Sequence, residues 1–125
     1  MLNLEIVDRD AFSSALVHLD PGEEFVSESG AMYRASGNVD VDVTTRSRGR
    51  GGVMAGIKRL LASENFFFSR YRVTDNHAGE VGLAPTHVGS IRRIDVEPTM
   101  GWLCTGGSYL GSAAGLQIDT EFQGL

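Results

Sequence analysis

At 125 residues, with a formal net charge of −5 and 22% charged side chains, the chain suits one compact domain that buries about two-thirds of the surface its unfolded form exposes. A single cysteine, Cys104, excludes an intrachain disulfide, and the opening MLNLEIVDRD lacks the basic and apolar regions of a secretory signal, so a cytoplasmic location is expected. No run approaches the roughly 18 apolar residues of a transmembrane helix, and the acidic balance argues against general nucleic-acid affinity.

Sixteen glycines against three prolines, with short alternating runs, predict strands joined by tight turns. Residues 12–19 and 24–28 are expected as strands around the Asp20-Pro21-Gly22 turn, because proline presets the first turn dihedral and glycine tolerates the second. A short strand at 31–34 leads through the Gly37-Asn38 turn into 39–46. There Val39, Val41 and Val43 alternate with Asp40, Asp42 and Thr44, the pattern of a sheet with one buried face. A glycine-rich basic segment then precedes a short helix at 53–62, with Val53, Ile57, Leu60 and Leu61 at helical spacing. Strands at 65–73, 80–84, 90–96, 101–105, 108–110 and 116–122 complete an all-β sandwich or barrel with that one helix.

The chain also matches itself. Residues 19–45 run parallel to 96–122 without a gap: Pro21 meets Pro98, Gly30 meets Gly107 and Asp42 meets Asp119, an offset of 77. Phe25/Trp102, Val26/Leu103, Met32/Tyr109 and Val39/Leu116 keep the apolar positions filled. Such a period marks a duplicated supersecondary unit. A single domain over 1–125 is therefore expected to hold a first repeat at about 10–86 and a second, incomplete one at about 87–125.

Arg46, Arg48, Arg50, Lys58 and Arg59 fall in a stretch with no acidic residue, while the remainder carries 6 basic against 16 acidic residues. Gly51 and Gly56 have the separation of a phosphate loop, but Ile57 stands where that loop requires lysine, which argues against nucleotide hydrolysis. An anion site at the start of the expected helix is the simpler reading. In 66–73, alternation sets Phe66 and Phe68 beside Arg70 and Arg72, a combination suited to stacking bases and meeting phosphates on single-stranded RNA. Five phosphate contacts would make log K fall with log salt at a slope near −3.5, from about −0.7 per contact. The apolar side of the expected helix, flanked by Lys58 and Arg59, also suits an anionic membrane surface.

Catalytic constellations are not expected. His18, His77 and His87 are scattered, so no metal or cofactor is predicted. Leu110 occupies the place of the second glycine in a Gly-x-Ser-x-Gly elbow around Ser108. Asp40 and Asp42 suit the wet side of their strand. Cys104, among apolar neighbours, is expected as an inert core thiol.

Several stretches carry a family resemblance: Leu19-Asp20-Pro21-Gly22-Glu23, Glu28-Ser29-Gly30-Ala31-Met32, Gly51-Gly52 through Lys58-Arg59-Leu60-Leu61, 79–85, and Phe122-Gln123-Gly124-Leu125. They resemble the mitochondrial-biogenesis ("altered inheritance of mitochondria") family and its bacterial homologues of unknown function. The resemblance implies a fold like that of the tryptophan RNA-binding attenuation protein, a double-stranded β-helix-like sandwich that forms rings or symmetric oligomers. Family members usually continue beyond the Phe-Gln-Gly-Leu motif, so a short or truncated form is implied here. The reading that follows is a non-enzymatic homo-oligomer whose sheet edges are completed by partner subunits. The alternatives are RNA or anionic-ligand binding through residues 46–59, and a cupin-like small-molecule-binding barrel.

Overall fold

A computed structural model describes residues 2–9, 12–44, 68–105, 107–116 and 118. Eight strands lie among them: β1 (Asn3–Arg9), β2 (Phe12–Leu19), β3 (Glu24–Glu28), β4 (Met32–Ala35), β5 (Val39–Thr44), β6 (Phe68–Val73), β7 (Gly79–Leu83) and β8 (Gly111–Ala113). They form two four-stranded antiparallel sheets, in the orders β1-β2-β7-β4 and β5-β6-β3-β8. The all-β expectation holds, and the architecture is that of a β-sandwich.

Strand alternation builds the core directly. In the first sheet Leu4, Val17, Val81 and Ala35 stand opposite one another in a row across all four strands. In the second, Val41, Tyr71, Phe25 and Ala113 form the matching row. Val17, Leu19, Tyr71 and Val81 are completely buried where the sheets meet. Burying a side chain of this size contributes about 1.5–3 kcal/mol. A one-residue slip of any central strand would turn its apolar file to solvent, so the pattern also fixes register.

Turn chemistry sets the corners. The Glu23 N–H donates to the Asp20 carbonyl at 3.0 Å, while the Glu23 carboxylate accepts from the Asp20 N–H at 2.8 Å. Between them Gly22 takes a φ of 91°, as a type II turn requires at its third residue.

Three backbone turn bonds recur at the spacing of the sequence repeat. Glu23 N to Asp20 O has its counterpart in Met100 N to Glu97 O, Ala31 N to Glu28 O in Ser108 N to Thr105 O, and Val39 N to Ser36 O in Leu116 N to Ala113 O. Gly30 and Gly107 share the left-handed conformation, at φ 92° and 85°. The echo in sequence is thus an echo in backbone geometry.

The strand expectations need several corrections. β1 has no counterpart among the expected strands. Residues 90–96 and 101–105 alternate suitably but are not strands, and the short strand expected at 108–110 is instead β8, at Gly111–Ala113. Alternation alone does not make a strand; its N–H and C=O groups need a neighbouring ladder. Leu116 and Ile118 lie outside any strand. The expected helix at 53–62, and residues 45–46, 65–67, 117 and 119–122 of three expected strands, lie outside the described residues.

Candidate functional site

Of the residues proposed for anion or nucleic-acid binding, Arg46, Arg48, Arg50, Lys58, Arg59 and Phe66 lie outside the described residues. Phe68 is only 2% exposed. It stands on the face of β6 that points away from the core, where the Tyr109 ring meets it edge-on at 6.0 Å and 79°. Its ring therefore contacts protein rather than open solvent. Tyr109 also reaches β3: its hydroxyl donates to the carbonyl of the buried Val26 at 3.4 Å and lies 2.9 Å from Ser112 Oγ. Burial pushes the Tyr109 hydroxyl up to about 12.

The arginines beside Phe68 are engaged. Arg70 donates to Glu24 at 3.0 Å and Arg72 approaches Asp40 at 3.6 Å. Asp40 on β5 sits directly across the ladder from Arg72, whereas Glu24 on β3 reaches Arg70 diagonally, its own ladder partner being Arg72. The outer face of the first sheet carries a similar ladder, in which His18 lies 3.6 Å from Glu5 and 3.8 Å from Glu80, and Glu80 accepts from Arg34 at 2.6 Å. Exposed pairs of this kind contribute about 0–1 kcal/mol each, so they specify strand alignment more than they stabilise it. Among the described residues no group of three His, Cys, Asp or Glu side chains is placed to hold a metal ion. Nor is any helix among them long and apolar enough to cross a membrane.

The arrangement with the clearest functional content is a pair of incomplete surfaces. One is β4, which among the described residues ends its sheet and pairs only with β7. The other is the segment 88–105, which forms no strand yet leaves Val88, Met100, Trp102 and Leu103 more than half exposed. Cys104 lies in this segment and is exposed, which corrects the core-thiol expectation. Without a neighbouring strand, the apolar surroundings it has in sequence do not become a core. Sequence reasoning missed this pairing of surfaces. The signal was present in the repeat, since 101–105 corresponds to β3, a central strand with a partner on each side.

Comparison with known proteins adds three findings. The profile of the family described as "Mitochondrial biogenesis AIM24" matches residues 4–125. A Streptococcus pyogenes protein of known crystal structure is similar at 21% identity with a TM-score of 0.54, over 78% of this chain and 44% of its own, a likeness of fold. The chain thus spans less than half the length of that protein. No curated protein matches.

Proposed function

Since the chain belongs to the mitochondrial biogenesis AIM24 family, we propose that it is a non-enzymatic β-sandwich module that works by assembly, its open sheet edges being completed by partner subunits. The observation that carries this reading is the coexistence, among the described residues, of a β4 edge with no further strand beside it and a segment outside any ladder whose Trp102 and Leu103 are 55% and 67% exposed. An edge strand offers a row of unsatisfied N–H and C=O groups, and exposed apolar side chains beside it favour a partner that covers both. A symmetric or ring-shaped homo-oligomer, as the attenuation-protein resemblance implies, satisfies both needs, and a cytoplasmic setting is part of the same proposal. Light scattering across a dilution series tests it. Multimers persisting at micromolar concentration support the reading, and monomer throughout rejects it.

A further inference from the structure

The proposed assembly has a definite partner surface, and the structure contains a template for it. Within one chain the first repeat unit joins the second where β3 takes β8 as its neighbour, pairing Phe25 with Ala113, Val26 with Ser112 and Ser27 with Gly111. β8 corresponds to the end of β4, since Gly111, Ser112 and Ala113 stand 77 residues after Arg34, Ala35 and Ser36. The junction is therefore one unit's third strand beside the next unit's fourth. Each unit has one such surface of each kind. Among the described residues two remain unused: the edge of β4 in the first unit, and residues 102–104, the counterparts of Phe25, Val26 and Ser27, in the second.

We propose that residues 102–104 of one copy of this chain add to the β4 edge of a second copy, head to tail, with Trp102 opposite Ser36, Leu103 opposite Ala35 and Cys104 opposite Arg34. This rests on the assembly reading above and specifies its contact.

Backbone polarity agrees with that register. Ser36 donates its N–H to Glu80 on β7 at 2.9 Å, so the neighbouring Ala35 directs its N–H and C=O to the open side. In the template, Glu28 donates to Leu110 at 2.9 Å, which makes Val26–Ser112 a hydrogen-bonded pair as well, two residues along the ladder. Its counterpart is Leu103–Ala35, with Ala35 already facing outward. The side chains must adjust at one place. In the template the Phe25 ring fills the space over Gly111, where an added Cβ would sit 2.6 Å from the ring. Arg34 carries that Cβ, so the Trp102 ring would shift off it towards the half-exposed guanidinium, a cation suited to the face of an indole. Leu103 would extend the core-facing row that ends at Ala35. A second copy is the occupant because 101–105 of the same chain lies in no ladder with β4.

The register supplies its own test. Cys104 and Arg34 form a non-hydrogen-bonded pair in this arrangement, the kind whose Cα separation of about 4.5 Å suits a disulfide. The full 125-residue R34C variant is oxidised, run without reductant and mapped by peptide mass, with R34C/C104S and the unaltered protein alongside. Light scattering on the reduced, unaltered protein is measured in parallel with that on reduced R34C. The expected result is a covalent dimer or ladder of multimers, linked between position 34 and Cys104 of different copies and lost in R34C/C104S. A 34–104 bond within one chain, or free thiols in a protein that is multimeric by light scattering, overturns this contact while leaving assembly standing. Monomer in both measurements overturns the contact and the assembly reading together.

Discussion

The Tyr71 hydroxyl lies 2.7 Å from Ser27 Oγ, with both residues completely buried between the sheets. Ser27 in turn donates to the Glu28 carbonyl at 2.9 Å, so the tyrosine is the donor to serine. Tyr71→Phe removes one buried hydrogen bond, and about 1 kcal/mol of stability should go with it. Ser27→Ala strands the tyrosine hydroxyl and should cost about 1–3 kcal/mol. Urea denaturation of both variants and the double mutant checks the coupling. The double mutant should lose less than the two single losses combined.

Gly30 has a φ of 92°, and a Cβ added there would meet nothing within 4 Å, so substitution strains the backbone without a clash. Gly30→Ala should cost about 1–2 kcal/mol. Gly30→Asn should cost less, because asparagine tolerates this conformation. Thermal melts of the two variants give the order; equal losses would count against the conformational cause.

Gly79 poses the opposite problem. A Cβ there would meet Val73 Cγ1 at 2.5 Å and Val39 Cγ2 at 2.8 Å. Gly79→Ala should cost about 1–3 kcal/mol through overpacking. Adding Val73→Ala should recover part of that loss, since the nearest obstacle is the end of that side chain. Denaturation midpoints of the single and double variants read the recovery.

Burial holds Tyr109 near 12 against an ordinary value of 10.0. A raised acid pKa means that the neutral form is favoured in the folded state. Its contribution is fully present below pH 10 and is lost as pH rises towards 12. Tyrosinate absorbance should therefore include a late step that Tyr109→Phe removes. The same variant should make stability less dependent on pH across this alkaline window.

Asp75 is held below its ordinary value of 3.8, first by the hydrogen bond that Asn38 donates and then by the His77 backbone N–H. Asn38→Ala should move its titration upward, as followed by carboxyl NMR. A lowered acid pKa places the associated stability above the ordinary value, with loss as pH falls through the folded one.

Much of this fold was legible because short-range rules sufficed. The alternation at Phe12–Leu19 and the Asp20-Pro21-Gly22 turn gave β2 and β3 their observed limits. Val39, Val41 and Val43 do share the core-facing side of β5, although Val41 and Val43 are 39% and 58% exposed at the sheet edge. What failed was pairing. Residues 101–105 alternate as well as β3 does, yet lack a neighbouring strand among the described residues, and Cys104 and Trp102 are exposed. The candidate site was least legible of all. Its surfaces are defined by what is missing beside them, and a property of absent neighbours is not written in local composition. Phe68 illustrates the converse: its place beside Arg70 suggested a binding face, and a residue 41 positions away covers it.

That cover bears on how the protein can be cut. Val26 and Phe68, at 4% and 2% exposure, face away from the central core and rely on Tyr109, which belongs to the second unit. A laboratory version ending near residue 86 would lose Ile91 and Leu110 from against the core, bare an apolar patch and strip β3 of β8. Expression of such a piece should yield precipitate rather than a smaller soluble protein. The turns recur at an interval of 77 residues, but the packing does not divide at that interval.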